Sequence, residues 1–303
     1  MRILTDTLRF PEGPIALEDG SVLVVEIARG TLSRVHPDGR VDVVAVTGGG
    51  PNGAAIGPDG RVYVCNNGGF SWREEGGLLR PGDAPADYSG GRIEAVDLLT
   101  GKVEVLYTAC NGRTLKGPND LVFDGAGGFW FTDNGKRYDR TMDRGSVLYA
   151  RADGSRIEEW FFPFEHPNGI ALSPDDGTLY FAETVSGRVF KVALRAPGVP
   201  ERVFGSFDPG GLLYGAPGMQ LFDSMAVDAE GNICVATLVA GGISVISPQG
   251  ELLEFVSLPD PFVTNICFGG ADLRTAFVTL SGTGKLVSLP WARAGLPLHH
   301  QHR

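Results

Sequence analysis

The sequence predicts an all-β chain, a six-bladed β-propeller formed as one domain over residues 1–303, and three observations predict it. First, six times along the chain a polar residue opens the same phrase: a short apolar stretch, a polar turn, then a β-rich run. The phrases start at Glu12 (EGPIALEDGSVLVVE), Asn52, Asn119, Asn168, Asp223 and Asn265, and an internal repeat of this length signals stacked or circular units. Second, each of the first five phrases is followed by another hairpin, such as TLSRVHPDGRVDVVAV after the first and GISVISPQGELLEFVSL after the fifth. Two hairpins make a four-stranded antiparallel blade. Third, the sixth unit holds only three strands, near 265–270, 274–281 and 284–290, while residues 2–8 (RILTDTL) have no partner of their own. Pairing the N-terminal strand with the last blade closes the ring and removes exposed sheet edges.

Within each phrase, alternating or continuous Val, Ile, Phe and Tyr mark strands, and Asp-Gly or Asn-Gly marks the turn between them. The 44 Gly and 20 Pro residues suit many short strands joined by tight turns. Successive phrases are 40, 67, 49, 55 and 42 residues apart, so two units carry insertions. The larger lies around Phe70 to Gly91 and the smaller around Phe207 to Gly218. Long loops on a rigid scaffold are commonly functional, and the aromatic content of the first (Phe70, Trp72, Tyr88) predicts a lid or pocket wall in place of a disordered loop.

The charge of −10 and the absence of a Lys/Arg cluster exclude a nucleic-acid or anionic-membrane surface. No apolar run reaches the length of a membrane span, and MRILTDTLRF is too charged for a signal peptide. Cys65, Cys110, Cys234 and Cys267 have no metal-motif spacing and read as reduced core residues. A cytoplasmic protein with a small-molecule substrate is the expectation.

Equivalent positions of a circular repeat lie at one level around one axis. Here Glu12, Asn52, Asn119, Asn168, Asp223 and Asn265 each bring an oxygen to the start of the innermost strand. Carboxylate and amide oxygens suit hard cations, whereas zinc usually recruits His or Cys. The expectation is one divalent cation held by Glu12, Asn168 and Asp223, Ca²⁺ first, with Zn²⁺, Mn²⁺ or Mg²⁺ as alternatives. For Asn52 and Asn265 an ordinary turn-capping role is equally expected. His166, two residues before Asn168, and Trp72 and Arg73 in the insertion are candidate substrate contacts, with Arg137 and Tyr138 as further lid candidates.

EGPIAL, HPNGIALSPD, YFAET and DSMAVD together resemble the senescence-marker-protein-30, gluconolactonase and luciferin-regenerating-enzyme family across essentially the whole chain, closest in motif to its bacterial lactonases. The resemblance implies a six-bladed propeller with one divalent cation that hydrolyses lactones. It places Glu12, Asn168 and Asp223 at the metal, with Asp223 catalytic, and Asn119 at the metal or the substrate. In the bacterial drug-responsive branch the counterparts of Ser224 and Asp133 also approach the metal. Two departures stand out. Sugar lactonases of vertebrate type carry Arg two residues before the Asn119 position, where this chain has Gly117, and the fifth phrase reads Phe222-Asp223-Ser224 where Pro-Asp-Gly is usual.

This reading makes the protein a metal-dependent lactonase acting on a sugar-type or related polar lactone, with Asp223 as the base for a cation-activated water. A metal-dependent phosphotriesterase or other esterase on the same propeller is the first alternative. A non-catalytic propeller that binds other proteins is the second. No Gly-x-Ser-x-Gly phrase supports a serine nucleophile.

Overall fold

A computed structural model describes residues 1–205, 208 and 211–301. Strand β1 (Arg2–Thr5) precedes blade 1, which is β2 (Pro11–Ala16), β3 (Val22–Glu26), β4 (Thr31–Val35) and β5 (Val41–Val46). Blade 2 is β6 (Pro51–Ile56) and β7 (Val62–Asn66), then an inserted hairpin β8 (Trp72–Glu75) and β9 (Leu78–Pro81), then β10 (Arg92–Val96) and β11 (Val103–Tyr107). A small hairpin, β12 (Ala109–Cys110) and β13 (Arg113–Thr114), leads into blade 3: β14 (Pro118–Phe123), β15 (Gly128–Asp133), β16 (Gly145–Arg151) and β17 (Ile157–Phe164). Blade 4 has β18 (Pro167–Leu172), β19 (Thr178–Glu183) and β20 (Arg188–Ala196), with β21 (Val199–Pro200) and β22 (Leu212–Gly215) sharing its outer edge. Blade 5 is β23 (Leu221–Val227), β24 (Ile233–Leu238), β25 (Gly242–Ile246) and β26 (Leu252–Ser257), and blade 6 is β27 (Val263–Gly269), β28 (Thr275–Leu280) and β29 (Lys285–Pro290).

The ring closes as the sequence predicts. β1 runs antiparallel to β29, with Arg2 opposite Ser288 and Ile3 opposite Val287. Among the described residues there is no α-helix, and no helix long and apolar enough to cross a membrane.

Each interblade seam has its own apolar core. Ile15, Leu23 and Val25 of blade 1 pack on Ile56, Val62 and Val64 of blade 2. Tyr63 and Ile93 meet Phe123, Phe129 and Phe131 of blade 3, and Trp130 and Tyr149 meet Phe181 and Phe190 of blade 4. A middle strand therefore touches apolar layers on both faces, which is why β3 is buried at all five positions and reads as a continuous apolar run. All four cysteines lie unpaired in this interior.

Two expectations change. The hairpin expected after the fourth phrase, GRVFKVALRAPGVPERVF, does not supply the whole outer edge of blade 4 by a return strand through Arg202 and Phe204. Val199–Pro200 pairs with the distal end of β20 and Leu212–Gly215 with its proximal end, a break that suits Pro200, which has no N–H for the ladder. Of the smaller insertion, Leu212–Gly215 is thus strand, and residues 206, 207, 209 and 210 lie outside the described residues. The larger insertion is also not a plain loop, because β8 and β9 form a regular hairpin within it.

Candidate metal and active site

Four of the six innermost strands begin with proline, Pro11, Pro51, Pro118 and Pro167, a position where the missing N–H costs nothing. Just beyond, all six ladders slip: between Glu12 and Ile15, Pro51 and Ala54, Pro118 and Leu121, Pro167 and Ile170, Phe222 and Met225, and Val263 and Asn265. A bulge re-aims side chains that a regular pleat would direct alternately into the two seams. Here it brings the polar residues to the channel.

The residue after each polar one controls how closely the inner strands approach. A Cβ on Gly13 would stand 2.7 Å from Ala54 N, one on Gly53 2.6 Å from Asp120 Cα, and one on Gly169 2.6 Å from Asp223 O. Three phrases accordingly need glycine. Phrase 3 instead has Asp120 and phrase 5 has Ser224, so these blades contribute a second polar side chain.

Three carboxylates are brought together as a result. Glu12 is 2% exposed; its Oε2 accepts from Gly13 N at 2.8 Å and from Asn265 Nδ2 at 2.7 Å. Burial raises its pKa to about 7 against the pull of these bonds. Asp120, 7% exposed, is pushed up to about 8 by burial and by the charge of Glu12, although Leu121 N donates to it at 2.9 Å. Asp223 is half-buried, and its pKa is driven well above the carboxylate range by burial and then by Glu12, with Asp120 adding to it. Asn168 lies beside Asp223 and partly offsets this.

Three oxygens in the same ring lack donors. Asn168 spends Nδ2 on Thr184 Oγ1 at 3.0 Å, leaving its buried Oδ1 unpartnered. Asn119 Oδ1 and Ser224 Oγ likewise accept no hydrogen bond; the Ser224 hydroxyl faces Asp120 and draws its pKa down as a donor. Repelling carboxylates beside donor-less oxygens make a set a hard divalent cation fits. Among the described residues no three His, Cys, Asp or Glu side chains form a metal group alone, so amide oxygen has to complete any coordination. Asn265 is not free to do so, because its Nδ2 serves Glu12 and its Oδ1 accepts from Ile266 N at 2.7 Å.

Asp133 is committed to the backbone. Its carboxylate accepts from Lys116 N and Gly117 N, both at 2.7 Å, and from Gly135 N at 3.0 Å. The end of the second strand does the same work in other blades: Glu26 accepts from Arg9 N, Asn66 from Gly50 N and Glu183 from Glu165 N. We therefore leave Asp133 out of the candidate ligands. Asp133→Ala strands three N–H groups, two of them buried, and should cost about 2–4 kcal/mol, seen in thermal denaturation, with calcium affinity of the folded protein unchanged by calorimetric titration.

The inserted segment leaves the scaffold at this end of the channel, since Pro51 pairs with Asn66, from which the segment departs. It is pinned by Leu79 N to Gly282 O at 2.8 Å, by the Arg9–Glu74 ion pair at 3.0 Å and by Ala84 N to Arg137 O at 2.8 Å. Trp72 packs 5.1 Å from the Phe10 ring and 6.0 Å from Phe70, acting as a wedge under the hairpin. Arg73 is exposed opposite Arg80. Arg137 pairs with Asp83 at 2.7 Å, and Tyr138 reaches Asp143 at 3.4 Å. His166 has φ +59° and an unpartnered buried Nε2; burial, then the charges of Arg137 and Lys136, hold its pKa down at about 4, so the ring is neutral. At the opposite mouth the C-terminal segment lines the channel, with Gln301 Nε2 donating to Ala16 O at 2.9 Å.

Similar proteins agree with this architecture. The chain is 27% identical to a gluconolactonase of Zymomonas mobilis over 93% of its length and 79% of the relative's. It is 28% identical to lactonase drp35 of Staphylococcus aureus over 79% of its length and 67% of that protein's. The solved structure of a Xanthomonas campestris gluconolactonase superimposes with a TM-score of 0.73 at 25% identity, covering 95% of this chain and 88% of the other. The family model for the SMP-30/Gluconolactonase/LRE-like region matches residues 10–282, and the chain belongs to that family.

Proposed function

We propose that the protein is a lactonase that depends on a divalent cation held by Glu12, Asn168 and Asp223, with Asn119 and Ser224 adjoining. The observation that carries this reading is the gathering of Glu12, Asp120 and Asp223 with the donor-less oxygens of Asn119, Asn168 and Ser224 beneath the inserted hairpin, in a chain whose relatives include a gluconolactonase and a lactonase. Calcium is the first ion to test, because the donors are hard oxygens with neither His nor Cys among them.

When bound, such an ion supplies Lewis-acid polarisation of the lactone carbonyl and a lowered pKa for water. Asp223 is the group placed to move the proton: unlike Glu12 and Asn168 it is only partly buried. It takes the proton from the attacking water as the new C–O bond forms, and returns it to the ring oxygen as the ester bond breaks, giving a hydroxy acid. Glu12 is fixed by Asn265 and the Gly13 N–H, and Asn168 by Thr184, so neither has to reorganise during turnover. The hairpin and its aromatic wedge limit access of bulk water from above.

The test is a panel of γ- and δ-lactones with pH-indicator detection, run beside a phosphotriester on EDTA-treated protein with Ca²⁺, Mn²⁺, Mg²⁺ or Zn²⁺ restored separately. The expected result is lactone turnover that EDTA removes and a hard cation restores. Turnover of the phosphotriester alone, or lactone hydrolysis indifferent to EDTA, overturns the proposal.

A further inference from the structure

We propose that Lys136, flanked by Asn67 and His166, is the specificity-determining group of this site and selects a lactone that bears a carboxylate; the inference rests on the lactonase reading and names its substrate class. Lys136 lies in the β15–β16 connection, which leaves the channel end occupied by Asn119 and Asp120, because β14 and β15 are antiparallel with Pro118 opposite Asp133. Asn67 directly follows β7, and His166 stands two residues before Asn168. The three thus sit just outside the oxygen ring on adjoining blades, under the inserted segment.

Lys136 is 1% exposed, and among the described residues no carboxylate lies at ion-pair distance from it. Its Nζ donates to Gly69 O at 2.5 Å and Asn67 Oδ1 at 3.3 Å. The Phe70 and Tyr88 ring centroids lie 4.0 and 5.3 Å away. Asp133 is the nearby acid, but its oxygens hold three backbone amides. Neutral acceptors and ring faces orient an ammonium without neutralising it, and burying an uncompensated charge is costly. Burial accordingly pulls its pKa down to about 7.

The polar groups around it are also incomplete. Asn67, 3% exposed, has its oxygen fixed by Lys136 and by Gly69 N at 2.8 Å, so its Nδ2 is left as a buried donor with no acceptor. His166 Nε2 is buried and unpartnered as well. Hydroxyl groups on a neutral sugar ring would satisfy the amide and the imidazole but leave the ammonium without a counter-charge. A carboxylate satisfies all three, accepting from Nζ and Nδ2 with charge assistance. The rival role for Lys136 is a latch that merely ties Gly69 and Asn67 to blade 3.

The matched probes are the γ-lactones of D-glucarate and D-gluconate, which differ by a carboxylate in place of a hydroxymethyl group. Wild-type protein should favour the glucarate lactone in kcat/KM by at least about tenfold, chiefly through KM, the order of a desolvated charge pair. In Lys136→Met that preference should collapse, so that the ratio of kcat/KM for the two lactones falls by about the same factor. An equal loss on both substrates identifies a latch and overturns the inference. Should Lys136→Met fail to fold, inhibition of the wild type decides: D-glucarate should inhibit hydrolysis of the neutral lactone at about tenfold lower concentration than D-gluconate, and equal inhibition overturns the inference. A wild type that hydrolyses the gluconate lactone as well as or better than the glucarate lactone sinks this inference alone. Hydrolysis of neither, with cation present, while another lactone is turned over also sinks this inference alone; failure on every lactone of the panel sinks the lactonase reading too.

Discussion

Asp223→Asn and Asp223→Ala are expected to lose at least about three orders of magnitude in kcat, the combined scale of a lost general base and a disturbed metal site, while the protein stays folded. The argument has a second half that a purely structural residue would not satisfy. In cation-free protein Asp223 is a liability, since burial and the charges of Glu12 and Asp120 oppose its ionisation. Removing that charge should therefore raise the melting temperature of the EDTA-treated protein at pH 8 even as activity disappears. Retained activity removes Asp223 from the mechanism, and lost activity with a lower melting temperature assigns it a packing role.

The same carboxylate cluster shows what was legible in the sequence and what was not. A repeat fixes equivalent positions, so the level shared by Glu12, Asn119, Asn168 and Asp223 followed from counting phrases, as did closure by β1. Asp120 is not among the expected residues because it is the second residue of its phrase, and the repeat marks the first. Its signal was present: it stands where phrases 1, 2 and 4 have a glycine that the packing of inner strands requires, and a charged residue in such a place needs a reason. Asp133 shows the converse. The family resemblance suggests a ligand, and only the hydrogen bonds reveal a device repeated by Glu26, Asn66 and Glu183.

Long-range placement was less legible still. Trp72 and Arg73 were chosen for residue type, but the β8–β9 hairpin turns toward blades 1 and 6, seating Trp72 on Phe10 and leaving Arg73 in solvent. Nothing in FTDNGKRYD marks Lys136 as a buried residue. Its burial depends on Phe70 and Tyr88 from another blade, a contact that no local pattern encodes.

Removal of the cation should change stability in a manner set by pH. In cation-free protein the folded pKa of Glu12 is about 7 against 4.5, and that of Asp120 about 8 against 3.8, with Asp223 raised as well. Raised carboxylate pKa values mean that the folded state binds more protons than the unfolded state between about pH 4 and 8. Stability of the cation-free form therefore falls as pH rises through that window. Below pH 4 both states are protonated and the penalty vanishes. A divalent ion bound by the same oxygens competes with those protons, so its stabilising effect must grow as pH rises. The difference in melting temperature between calcium-loaded and EDTA-treated samples should be small near pH 5 and on the order of 5–10 °C near pH 8, equivalent to a few kcal/mol. Using the difference cancels groups remote from the site, which titrate alike in both samples. A gap that is constant across this range places the bound ion elsewhere on the protein, and the absence of any gap at pH 8 with millimolar calcium removes calcium from the site.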